Sequence, residues 1–233
     1  MPTATSRELI LKLLEEKALL KLEVAERTTS GFTLLKDTLS SLQSELKSSL
    51  KKIKSKNILI NYFDKGEFEA EFSIVDDTIV FMMHTNVFTF ENNHDIWKTS
   101  YVQQDHSRSY CGKIYVFNFL SDSFKYNRLN DVGYLIARIF INKDNHFFVE
   151  GKRQLGFLYN DFTNAEFNTE SIRNVAESAI LYSLDFDPYT PPYEQMIQLT
   201  VQEILDTTMQ SKMATGKRLG FRFQVDNSGN DLR

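Results

Sequence analysis

The 233-residue chain contains a single cysteine, Cys111, which excludes an internal disulfide framework and a multi-thiolate metal site. Glycine occurs 9 times and proline 4 times, so long turn-rich loops and low-complexity linkers are not expected. No apolar run approaches the roughly 18 residues that a membrane span needs, and the N-terminus lacks a secretory pattern. These absences predict a cytoplasmic protein without a membrane segment.

Aromatic residues and an uneven charge are the main features that the composition does show. The 19 phenylalanines and 10 tyrosines predict a β-sheet, because aromatic side chains favour pleated, half-buried surfaces. The formal net charge of -4 gives no support to binding of nucleic acid through phosphates. Residues 1–56 hold 11 basic and 7 acidic residues, whereas the remainder holds 16 basic and 24 acidic residues. Opposite charges favour contact between the two parts or between copies.

The N-terminal quarter has the pattern of helices. Thr5 and Glu8 fit a capping box that starts a leucine-rich helix from about residue 6 to Arg27. Residues 28–31, Thr-Thr-Ser-Gly, are expected to break or kink it, which predicts a helical hairpin or one long kinked helix. The second helix has the three-four spacing of a coiled coil. Its apolar seam is the predicted partner-binding surface, and comprises Phe32, Leu35, Leu39, Leu42, Leu46 and Ile53.

From Asn57 onward the periodicity becomes that of strands. Alternation over 67–74 and an apolar run over 79–90 predict a hairpin, and further strands are expected at 113–120, 132–141, 146–150 and 155–159. Helical stripes after Asn168 and after Thr190 predict two C-terminal helices packed on the sheet. The fold class is therefore α+β, with an antiparallel sheet of about five to seven strands. The predicted organisation is a helical arm (1–56), a β-sheet region (57–165), a helical pair completing the same domain (166–212) and a loosely held tail (213–233).

The strongest catalytic motif is Val149-Glu150-Gly151-Lys152, which places a carboxylate and an ammonium on one face at a strand end. With Asp131 or Asp144 as a second acid, Glu150 and Lys152 would hold Mg²⁺ and a hydrolytic water. The motif resembles the acid-x-Lys signature of restriction-type nucleases, and the resemblance implies a metal-dependent nuclease or phosphodiesterase. An acid-x-Lys triplet is expected about twice by chance in this composition, so a surface hairpin is the preferred interpretation. Mg²⁺ is expected only if the nuclease alternative holds, and no other cofactor is predicted.

Two further regions are candidates for binding. A long polar loop over 91–111 offers His94, Asp95, Asp105, His106 and Arg108, but without the compact ligand spacing of a metal site. A lysine-rich run offers Lys51, Lys52, Lys54 and Lys56 as phosphate contacts. The run also lies at a predicted helix C-terminus, where cations are favoured, so a solvated helix end is the preferred interpretation.

Three hypotheses of function follow from these patterns. The leading one is a non-catalytic interaction or regulatory subunit, which assembles with itself or a protein partner through residues 1–56. Its β-domain would then recognise a partner or ligand. The alternatives are the metal-dependent nuclease and a small-ligand sensor with an aromatic-lined pocket in the sheet.

Overall fold

The computed structural model describes residues 5–52, 58–187 and 200–202. A long N-terminal helix comes first, a six-stranded antiparallel sheet follows, and helical segments come after the sheet. The predicted α+β class is therefore confirmed.

The N-terminal helix begins at the predicted capping box. The Thr5 amide donates to the Glu8 carboxylate at 2.7 Å, and the Glu8 amide donates to the Thr5 hydroxyl at 3.3 Å. The helix comprises α1 (Ser6–Leu13), a π-helical turn (Leu14–Ala18) and α2 (Leu19–Lys52). Its irregularity thus lies at the π turn, because an extra residue is inserted there.

Residues 28–31, which were predicted to break or kink the helix, are helical throughout. Their small side chains let the helix approach its neighbours closely. A Cβ atom on Gly31 would lie 2.8 Å from the Phe167 ring. The Thr28 hydroxyl donates to the Val24 carbonyl at 2.7 Å, so its polar group is satisfied within the helix.

The sheet is a meander in which each strand pairs with its neighbours in sequence. Its strands are β1 (Ile60–Asp64), β2 (Glu69–Ile74), β3 (Asp77–Phe88), β4 (Cys111–Leu120), β5 (Tyr134–Asn142) and β6 (Phe147–Gly151). The predicted hairpin of β2 and β3 and the predicted turn between β5 and β6 are both confirmed.

The strand predicted at 155–159 is wrong, because this segment contains a helical turn over Gln154–Phe157. The chain reverses at Arg153, whose φ is 48°. Leu155 then reaches the core from the helical turn and is 1% exposed.

One face of the sheet is covered by α2 and by a C-terminal helix, which extends over Thr169–Leu184. This helix begins at the predicted N-cap residue, Asn168. Five residues of its predicted stripe are buried, namely Ile172, Val175, Ala176, Ala179 and Ile180, whereas the sixth, Leu184 at the end of the helix, is 46% exposed. The second predicted C-terminal helix lies outside the described residues except at 200–202. The predicted tail, 213–233, lies outside them entirely.

The opposite face of the sheet, called the outer face below, is only partly covered. Residues 89–110 cover one end of it as short helical turns, instead of the irregular loop that was predicted. We call these residues the cap. The cap shares a second apolar cluster with the sheet, formed by Ile96, Tyr101, Val102, Cys111, Phe140, Phe148 and Phe162. Beyond the cap, Tyr115, Phe117 and Phe119 of β4 remain partly exposed on this face.

Candidate functional site

The predicted partner-binding seam lies in the core of its own chain. Phe32, Leu35, Leu39 and Leu42 are at most 2% exposed and belong to the main core cluster, and Leu46 packs half-buried beside them. Ile53 lies outside the described residues. Because the sheet and the C-terminal helix cover these side chains, the seam is not open to a partner in this structure. A three-four spacing marks a buried helix face, but the sequence does not say what covers that face.

The apolar surface that the fold leaves uncovered lies nearer the N-terminus, over residues 6–22. We call these residues the projecting segment. None of them is buried, and the first buried residue of the helix is Val24. Seven of its apolar side chains are 50–61% exposed: Leu9, Ile10, Leu11, Leu13, Leu14, Leu19 and Leu22.

The charge of the N-terminal region is divided between its two parts. Residues 1–27 contain five basic and five acidic residues, whereas residues 28–56 contain six basic and two acidic residues. Within the projecting segment, Lys12 lies 3.8 Å from Glu16 one turn later. The projecting segment therefore belongs to a part of the helix with balanced charge, and the basic surplus lies elsewhere.

A groove of about 460 Å³ separates the projecting segment from the cap. Leu13 and Leu20 line it from the helix, and Phe90, Trp97 and Tyr110 line it from the cap. The uncovered apolar surface thus continues from the helix onto aromatic residues of the cap.

Glu150, the centre of the predicted nuclease motif, is already paired. Its carboxylate accepts a hydrogen bond from the Arg138 guanidinium, and its second oxygen lies 3.0 Å from Nε2 of His94. Lys152 is exposed just beyond the end of β6. The structure therefore brings together Glu150 and His94, two residues that the sequence assigned to different candidate sites.

The two other acids of the nuclease hypothesis lie at opposite ends of β5. Asp131 precedes the strand and accepts from the Ser123 hydroxyl at 2.7 Å. Asp144 follows it and accepts from the Tyr101 hydroxyl at 2.8 Å and from Arg108 Nε at 3.1 Å. The nine residues of β5 span about 30 Å. Across 5–52, 58–187 and 200–202, no group of three or more His, Cys, Asp or Glu side chains converges to hold a metal ion.

Asp105 of the predicted binding loop stabilises the cap. Its carboxylate accepts from the Ser107 hydroxyl at 2.6 Å and lies 3.2 Å from Nζ of Lys143. The hydrogen bond from Ser107 is the main cause that lowers the pKa of Asp105 to about 2. Together with Arg108, which contacts Asp144, this carboxylate holds the cap against the turn between β5 and β6.

Asp95 and His106 lie nearer the surface of the cap. Asp95 forms an ion pair with Lys98 at 2.6 Å, and both side chains are largely exposed. The ring centroid of His106 lies 5.8 Å from that of Trp97, in an edge-to-face arrangement. Of the predicted loop residues, Asp105 and Arg108 therefore converge on the turn between β5 and β6, whereas His94, Asp95 and His106 make separate contacts.

The lysine-rich run is described only in part. Lys51 is exposed near the end of α2, and Lys52 is the last residue of that helix. Lys54 and Lys56 lie outside the described residues. A role in nucleic-acid binding therefore stays a prediction.

Comparison with protein-family models, curated proteins and solved structures finds no significant match to this chain. Among the described helices, none is both long and apolar enough to cross a membrane. Function is therefore inferred from the surfaces and contacts of the described residues.

Proposed function

We propose that the protein is a non-catalytic interaction subunit, which assembles with a second copy of itself through the projecting segment. The observation that carries this proposal is the set of seven leucine and isoleucine side chains that are 50–61% exposed. A helix with this much apolar surface is normally buried against another element. Burial of that surface between two copies is favourable by roughly 25 cal/mol for each Å² removed from water.

The balanced charge of residues 1–27 favours a second copy as the partner. Five basic and five acidic residues give this part no net charge, so two identical segments do not repel each other. Lysine and glutamate beside an apolar seam can also form ion pairs between helices. A strongly acidic partner would be better matched to residues 28–56, where the basic surplus lies.

The β-domain supplies the recognition half of the proposed function. Its outer face carries partly exposed aromatic side chains, including Tyr115, Phe117 and Phe119. Aromatic side chains are favoured at binding surfaces because they combine large contact area with low conformational entropy. We place this subunit in the cytoplasm, because its lone cysteine is buried and a disulfide framework is excluded.

The assembly is tested by the double variant Leu9→Lys/Leu13→Lys, which places two charges on one helix face. Each leucine that passes from half exposed to buried contributes about 1 kcal/mol. The variant is changed in both copies, so it should weaken association by roughly 4 kcal/mol, or about three orders of magnitude. At concentrations low enough for wild type to dissociate, the two proteins should unfold at nearly the same temperature, because neither residue is buried within the chain.

Sedimentation velocity over a wide concentration range provides the measurement. The control is Leu158→Lys/Leu181→Lys, which changes two exposed leucines outside the projecting segment. Wild type and control should both form dimers or larger assemblies, and the test variant should be monomeric. A wild-type protein that stays monomeric throughout, or a test variant that assembles as well as wild type, would refute the proposal.

A further inference from the structure

Among the described residues, one largely buried lysine side chain on the outer face of the sheet carries an ammonium group without an acidic partner. Lys113 of β4 is 8% exposed, and its Nζ lies 3.7 Å from the centre of the Phe88 ring and 4.6 Å from that of Tyr115. Among the described residues, no carboxylate is within ion-pair distance of it. Lysines are almost never fully buried unless they are paired. Aromatic faces attract a cation but supply neither counter-charge nor hydrogen-bond acceptors of carboxylate strength.

His84 of β3 places a second hydrogen-bond donor beside Lys113. The two residues are directly opposite each other in the register of β3 and β4, so their side chains share the outer face. The Asn86 amide donates to Nδ1 of His84 at 3.0 Å. The ring proton of the neutral imidazole must therefore lie on Nε2, for which the described part of the chain offers no hydrogen-bond partner.

A groove of about 250 Å³ is lined by His84 and by Tyr115, the ring whose centre lies 4.6 Å from Nζ of Lys113. His84 and Tyr115 form one side of it, and Met82 forms part of its apolar wall. Glu69 also lines the groove. In the sheet register, Met82 is paired with Glu69 of β2 on one side and with Tyr115 of β4 on the other, so Met82 separates Glu69 from Tyr115. The groove therefore has the His84 donor in its lining, with Lys113 on the adjoining Tyr115 ring, and an apolar, aromatic surface next to them.

We propose that this cluster is a binding site for a small organic anion. A carboxylate or phosphate group lies between Nζ of Lys113 and Nε2 of His84, and a flat apolar body rests on Tyr115 and Met82. The ligand supplies the negative charge and the hydrogen-bond acceptors that no described residue provides for Lys113. This inference rests on the recognition half of the proposed function, for which it names the ligand class, and is independent of assembly through the projecting segment.

Titration of the full-length protein with phenyl phosphate by isothermal calorimetry tests the site. We expect saturable binding at one site per chain, and no binding of phenol, which has the ring without the charge. Lys113→Met should weaken binding by about tenfold or more, because it removes a charge-assisted hydrogen bond. His84→Gln, which keeps a donor but not the ring, should weaken it less.

Lys65→Met is the matched control. Lys65 also lies near an aromatic ring, with Nζ 5.7 Å from the centre of Phe63, but it is paired with Glu71 at 3.1 Å. Its substitution should leave the affinity for phenyl phosphate unchanged. Lys113→Met should unfold at the same or a higher temperature than wild type, because an apolar side chain of similar length replaces a largely buried side chain whose charge is unpaired.

Two results would overturn the anion site. One is a wild-type protein that binds neither phenyl phosphate nor benzoate in a saturable way. The other is unchanged affinity in a folded Lys113→Met, or in His84→Ala if Lys113→Met does not fold. Sedimentation of the Leu9→Lys/Leu13→Lys variant is read separately, so failure of the anion site and failure of the assembly are distinguishable.

Discussion

Replacement of Leu39 by alanine tests whether the apolar seam of α2 serves the fold or a partner. Leu39 is fully buried in the cluster formed by α2, the sheet and the C-terminal helix. Truncation of a buried leucine removes transfer free energy and leaves a cavity, at a cost of about 3 kcal/mol. In a chain of this length, 1 kcal/mol lowers Tm by about 2–4 °C, so Tm should fall by roughly 6–12 °C.

The assay is urea denaturation of Leu39→Ala and wild type at several protein concentrations. The loss of unfolding free energy should be the same at each concentration, because the broken contacts lie within one chain. Leu181→Ala is the control, because Leu181 also lies on a helix that packs on the sheet but is 60% exposed and lies outside the projecting segment, and it should change stability by no more than about 0.5 kcal/mol. If Leu39→Ala left stability unchanged and altered only the state of association, the assignment of the seam to the core would be refuted.

Three further predictions concern contacts around β4 and the cap. Gly112→Ala should destabilise the fold by about 1–3 kcal/mol, measured by denaturation, because a Cβ there would lie 1.8 Å from the Thr28 hydroxyl oxygen. The hydrogen bond from Ser107 lowers the pKa of Asp105 to about 2, so the carboxylate stabilises the fold fully above pH of about 4 and loses this effect as pH falls through about 2. Acid titration of Asp105→Asn should therefore show a weaker loss of stability in that window, and an unchanged profile would contradict the assignment. Burial raises the pKa of the Cys111 thiol, so Ellman's reagent should modify it far more slowly in the native protein than in denaturant.

Local patterns in the sequence predict local structure well in this chain. The capping box at Thr5 and Glu8 and the helix N-cap residue Asn168 are both present with their hydrogen bonds. The alternation over 67–74 predicts β2 because successive side chains of a strand must face opposite sides of the sheet. These features depend on residues that are close together in sequence, so their physical cause is visible there.

Features that depend on distant residues could not be predicted in the same way. The spacing of Leu35, Leu39 and Leu42 requires a covered helix face, and both a sheet and a second helix satisfy that requirement. Thr28 and Gly31 are poor helix formers when isolated, but tertiary packing compensates here, because their small side chains permit close contact with Gly112 and Phe167. The exposed leucines of the projecting segment become distinct only when the extent of the sheet is known.

The candidate anion site shows where the sequence stops being sufficient. Alternation along β4 places Lys113 on the same face as Tyr115, but the sequence does not reveal that His84 lies opposite, because the register shifts between His84 and Phe88. The sequence also does not distinguish Lys113 from Lys65. In the structure each lies near an aromatic ring, but only Lys65 is paired with a carboxylate, and that pairing is not visible in the sequence. A largely buried lysine whose ammonium is unpaired lowers the stability of the fold that contains it. If a lysine binds an anion, its substitution by methionine should raise stability and lower the affinity for phenyl phosphate. If a lysine only supports the fold, the same substitution should lower stability and leave that affinity unchanged.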